Sequence, residues 1–113
     1  MHELSIAMGI VRIAENETQK AKAKSVTLIE LEIGKLSGIE IDSLEFVWPM
    51  AVKDSVLEHA ERKIDIISAR AVCVDCDTEF GLEHHYDICP ECGSYFKNIL
   101  SGREMRVKAL EVE

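Results

Sequence analysis

Four cysteines, Cys73, Cys76, Cys89 and Cys92, stand in the order C-x2-C-x12-C-x2-C within the stretch CVDCDTEFGLEHHYDICPEC. Nothing else in the chain restricts the fold as much. Two close pairs at this separation can set four thiolates at the corners of a tetrahedron about 2.3 Å from a Zn2+ ion, with no position left for water. A stretch this short buries too little apolar surface to fold alone, so metal-binding free energy becomes folding free energy. The pattern predicts a structural zinc ribbon. Iron is the competing ion, because CPECGS also resembles a rubredoxin knuckle and thiolate tetrahedra accept either metal. A redox dithiol would need only one pair and a thioredoxin-like βαβ surround, which is missing.

Compartment supports the same reading. No apolar run approaches the ~18 to 20 residues of a membrane span, and the N-terminus lacks the basic segment and small-residue cleavage site of a signal peptide. The chain is therefore expected to be cytoplasmic, without a membrane partner, and in a reducing compartment paired cysteines are metal ligands before they are disulfides. With 47% apolar residues it can build a core. The excess of 21 acidic over 13 basic side chains gives a formal charge of −8, which argues against nucleic acid, since affinity for a phosphate backbone needs clustered Lys and Arg.

Outside the cysteine stretch the pattern is that of an α+β domain. Leu4, Ala7, Met8, Val11 and Ala14, joined by Ile6, Ile10 and Ile13, make a broad apolar stripe at helical spacing from Glu3 to about Lys22. SVTLIELEI (Ser25 to Ile33) alternates as a half-buried strand. Asp42 and Glu45 resemble a capping box ahead of a short helix disturbed at Pro49. After Asp54 and Ser55 a helical fragment is expected near Val56 to Ala60. KIDIISARAV (Lys63 to Val72) reads as a second strand whose apolar phase slips at Ile66 and Ile67, where a bulge is expected. REMRVKALEV (Arg103 to Val112) reads as a third. The expected architecture is a three-stranded sheet covered by two helices, residues 1–72 and 103–113, with an inserted four-cysteine zinc-ribbon domain, residues 73–102.

The N-terminus, MHELSIA, holds a second place for a metal. One reading of His2 is an idle, solvated terminal residue. The other is chemical: Met1 should be retained, because its removal needs a small second residue, and its amine, the His2 amide nitrogen and the His2 imidazole can close adjacent chelate rings on one ion. Ni2+ and Cu2+ favour such square-planar nitrogen donors, and Glu3 can add its amide nitrogen or its carboxylate. A site of open backbone suits taking up a metal and giving it away. His84 and His85 are either solvated loop residues or auxiliary metal contacts, and His59 is a surface residue. No serine or cysteine nucleophile stands beside a base, and there is no phosphate-binding glycine loop.

MHELSIA, IGKLSGIEIDSLEF and CxxC…CPECGS followed by GREMRVKALEVE together resemble the HypA/HybF family of nickel metallochaperones, over essentially the whole length. The resemblance implies nickel at Met1, His2 and Glu3, with the Glu40 carboxylate nearby, and zinc at the four cysteines. It implies delivery of nickel to the [NiFe] hydrogenase large subunit precursor, alongside a GTPase accessory protein. The alternatives are a zinc-ribbon adaptor whose terminus binds nothing and an iron electron carrier.

Overall fold

The apolar spacing near the N-terminus becomes helix α1, Glu3–Lys20, in a computed structural model that describes residues 2–113. Its buried face is narrower than the expected stripe. Glu3, Ala7, Ile10, Val11, Ala14 and Thr18 are buried, whereas Leu4, Met8 and Ile13 are exposed. Small residues at positions 7 and 14 let a neighbour approach closely, and that neighbour is α2, Ile41–Val52.

The α2 helix corrects two expectations. Asp42 and Glu45 do not form its cap; the helix begins one residue before Asp42, with Glu40 as N-cap residue, and Glu40's own side chain caps nothing. Pro49 lies inside the helix instead of disturbing it. The ring sits on the exposed side, and the buried Leu44, Trp48, Ala51 and Val52 hold the turn on either side of the missing N–H. The expected fragment after it is a series of turns. Ser55 Oγ donates to Val52 O at 2.7 Å and accepts from Leu57 N at 3.1 Å, so a hydroxyl takes the backbone bonds a helix would need.

Strand β1, Val26–Gly34, buries Ile29, Leu31 and Ile33 as its alternation predicts. It is the central strand of a sheet of order β2-β1-β6, with β2 at Glu61–Ile67 and β6 at Met105–Val112. The expected strand Lys63 to Val72 is in fact two. It breaks at Ser68, and its second half, β3, Ala69–Cys73, is the centre of another sheet, flanked by β4, Glu79–Leu82, and β5, Lys97–Ser101. The slip of apolar phase at Ile66 and Ile67 marks this change of sheet and not a bulge. A real irregularity lies further on: Arg70 pairs with Ser101 and Ala71 with Ile99, leaving Leu100 as an extra residue of β5.

Two glycines permit the tight backbone crossing at the base of this second sheet. A Cβ on Gly34 would collide with the Gly102 carbonyl, and Gly102, at φ 112, has no room for one beside Ala69. Gly34 N donates to Glu104 O at 2.7 Å and Leu36 N to Gly102 O at 2.6 Å.

The fold is α+β, and the backbone divides into two compact units. One comprises the chain up to Leu31, Ile39–Asp65 and Arg106–Glu113; the other comprises Glu32–Gly38 and Ile66–Met105. The first contains both helices. The core of the second is small: Leu36, Ala69, Ala71, Cys73, Phe80, Leu82 and Cys89, with Ile99 against it. Two of its seven buried residues are cysteines, so this unit depends on whatever joins its thiols. No helix among the described residues is long and apolar enough to cross a membrane.

Candidate metal centres

The four cysteines come together. Their sulfurs all lie within 4.8 Å of one another, with Cys73 Sγ 3.5 Å from Cys92 Sγ and Cys76 Sγ 3.6 Å from Cys89 Sγ. A regular tetrahedron with metal–sulfur bonds of about 2.3 Å has edges of about 3.8 Å, so the donor set has the size and chemistry for Zn2+. These distances are far from the ~2.0 Å of a disulfide bond.

Both pairs are presented by the same turn. Cys73 N donates to Thr78 O at 2.9 Å and Asp77 N to Cys73 O at 3.0 Å; Cys89 N donates to Ser94 O and Gly93 N to Cys89 O, both at 2.9 Å. In each knuckle the fourth residue after the first cysteine is left-handed, Asp77 at φ 60 and Gly93 at φ 74. Glycine adopts that conformation freely and aspartate tolerates it better than most residues. In each knuckle, too, the first cysteine is buried and the second exposed.

The thiols differ electrostatically. Cys76 is lowered to about 7 by the Thr78 hydroxyl, 3.2 Å from its sulfur, and by the Thr78 backbone N–H. Cys92 is favoured as a thiolate by the Ser94 N–H, but the neighbouring thiols, Cys73 first, and burial outweigh this and push it up to about 12. Four thiolates this close are incompatible without a cation between them. Thr78 and Ser94 carry no signal of their own in the sequence; each is a hydroxyl residue five positions after the first cysteine of its knuckle, a pattern that gains meaning only once the turn is known.

The N-terminal residues belong to the first unit. Met1 falls outside the described residues. His2 is exposed at the N-cap of α1, its carbonyl accepting from Ile6 N at 3.0 Å and its imidazole capping nothing. Glu3 is buried, only 8% exposed, and its Oε2 accepts from Glu40 N at 3.2 Å. The carboxylate of Glu3 thus satisfies the N-cap N–H of α2 from the first residue of α1. Residues 3 and 40 are brought together, though through Glu40's backbone; its side chain is exposed.

The remaining histidines do not gather. His84 stacks on Tyr86 at 4.8 Å between ring centres, and its Nδ1 lies 3.7 Å from Asp87. His85 Nε2 is 3.3 Å from Leu36 O, and His59 lies beside Glu58 on the surface. The Asp87 carboxylate, held below its ordinary value by the backbone N–H groups of Glu83 and His84, fastens this loop. Among the described residues the four cysteines form the one group of three or more such side chains able to hold a single ion.

Residues 1–112 match a family model described as hydrogenase/urease nickel incorporation, metallochaperone, hypA. Similar curated proteins include the hydrogenase maturation factors HypA of Geotalea uraniireducens, 44% identical with all of both chains covered, and of Parabacteroides distasonis, 44% identical with all of this chain and 98% of that one covered. Among solved structures, the nickel metallochaperone HypA of Helicobacter pylori superposes with a TM-score of 0.71 at 25% identity, covering 99% of this chain and 97% of that one.

Proposed function

Because the chain belongs to the HypA family of hydrogenase and urease nickel-incorporation metallochaperones, we propose that it binds one transferable Ni2+ at its N-terminus and delivers it to the large subunit of a [NiFe] hydrogenase during maturation. The proposed ligands are the Met1 amine, the amide nitrogen and imidazole of His2, and Glu3. The observation that carries this reading is the position of the helix start. The N–H groups of a helix's first turn have no intrahelical acceptor, so a metal can replace the amide protons of His2 and Glu3 without breaking a bond of α1, which begins at Glu3. Glu3 then acts through its backbone nitrogen, since its carboxylate is already engaged by Glu40 N. The Glu40 side chain, exposed beside it, is the proposed neighbouring carboxylate.

Zinc is proposed as the resident ion, held by Cys73, Cys76, Cys89 and Cys92, where it would cross-link the two knuckles and neutralise their thiolates. The proposed partners are a GTPase accessory protein and the hydrogenase large subunit precursor, met in the cytoplasm. Metal analysis of the untagged protein tests this scheme. One tight zinc and one weaker, exchangeable nickel are expected; zinc alone would leave a zinc-ribbon adaptor, and visible absorption from iron would leave an electron carrier.

A further inference from the structure

The second sheet has two faces of unequal fate. One carries Ala69, Ala71, Cys73, Phe80, Leu82 and Ile99 into the small core. On the other, the strand register puts Arg70 and Val72 of β3 opposite Gly81 and Glu79 of β4, and Val72 also opposite Asn98 of β5. One step beyond the ladder, Val74 N donates to Phe96 O at 3.0 Å, so Val74 and Phe96 face each other on the side of Val72.

The β4 half of this outer face is covered. Arg70 lies over Gly81, where an added Cβ would stand 3.4 Å from its guanidinium, and ends 2.8 Å from the Glu79 carboxylate. The β5 half is bare. Val74 is 54% and Phe96 69% exposed, Tyr95 packs edge-on against Phe96 and is itself 54% exposed, and β5, like β4, is an edge strand. Carboxylates follow closely in the chain: Asp75 comes directly after Val74 and accepts from Ser94 Oγ, two residues before Phe96, while Asp77 in the first knuckle and Glu91 in the second are exposed. The one lysine nearby, Lys97, is engaged, its Nζ 4.2 Å over the Tyr95 ring and donating to the Tyr95 carbonyl at 3.1 Å.

The geometry points to a docking face for a basic, extended segment of a partner protein, laid along β5 with apolar side chains on Val74 and Phe96 and cations toward Asp75, Asp77 and Glu91. Charge selects this occupant. A second copy of the chain would bring one acidic rim against another on a protein of net charge −8, whereas alternating cationic and apolar residues complement both features and can add main-chain bonds to an open edge. The face is independent of what the N-terminus carries.

The test uses the zinc-loaded full chain and a synthetic peptide alternating lysine and valine, with its glutamate–valine counterpart as control. In a nitrogen–proton correlation spectrum the cationic peptide should shift the amides of Val72, Val74 and Phe96 to Leu100, with affinity falling as salt rises. Phe96→Ser should weaken binding about tenfold. Asp77→Asn, which tolerates the left-handed backbone, combined with Glu91→Gln should weaken it several-fold and flatten the salt dependence. Unchanged zinc content in each variant shows that the fold survived. Shifts confined to α1 and α2, equal binding of the acidic peptide, or self-association through Phe96 in sedimentation would each overturn the proposal.

Discussion

The two places proposed to hold a metal are built in opposite ways. At the cysteine centre four side chains converge from two copies of one turn, two of the sulfurs are buried in the core, and the turns are closed by their own backbone bonds. At the N-terminus the proposed donors are mostly main-chain nitrogens at or before the first residue of α1, and the one side-chain donor among them, the His2 imidazole, belongs to an exposed residue. The first arrangement would make the ion part of the core. The second would leave the fold nearly indifferent to it. Retention and release are thus written in how much of the structure must be rearranged when the ion departs.

The sharpest way to break this contrast is Cys73→Ala. It should cost the second unit the binding free energy of the proposed zinc, on the order of 10 kcal/mol for small structural sites, and remove a buried core residue. Amide exchange should show β3, β4 and β5 unprotected while Ile29 and Leu31 keep their protection; loss in both units would mean that the helical core also leans on the zinc.

Next in size is His2→Ala, or one residue added before Met1. Either should lower nickel affinity at least a hundredfold, read from the visible d–d band, with zinc content and thermal midpoint unchanged, because a terminal residue contributes few buried contacts. Equal affinity in all three proteins would move the nickel elsewhere.

Glu3 sharpens the comparison, since it belongs to the N-terminal site yet is buried. Glu3→Ala should cost about 1 kcal/mol through loss of the α2 cap, a fall of a few degrees in midpoint for a domain of this size. Glu3→Gln keeps an acceptor for Glu40 N and should retain most stability and nickel binding. A large loss of nickel in Glu3→Gln would show that the carboxylate itself coordinates.

The smallest effect concerns Asp87. Its folded pKa lies below its ordinary 3.8, so its contribution to the histidine loop is present above that value and is lost as pH falls through the lowered one. Asp87→Asn should speed exchange of the Glu83 and His84 amides at neutral pH and change little else.

How much of this is legible in the sequence depends on distance along the chain. The cysteine cluster is readable because each knuckle is closed by bonds within about one turn of its first cysteine. The helices and β1 follow from periodicity. The splitting of Lys63 to Val72 between two sheets does not, because β3 joins β4 and β5, both short and without strong alternation. Nor does the burial of Glu3, which rests on a backbone N–H thirty-seven residues away. Leu4, Met8 and Ile13 fit the helical stripe because spacing shows which residues share a side, but only packing shows how wide the covered side is.

The alternation of one buried and one exposed thiol in each knuckle gives the cysteine centre a front and a back. Cys76 and Cys92 face solvent, whereas Cys73 and Cys89 are closed in behind them. A chelator or an alkylating reagent must begin at the exposed front pair. With zinc bound as proposed, Cys73 and Cys89 would hold the ion from the buried side, and its exchange would begin at the exposed Cys76 and Cys92.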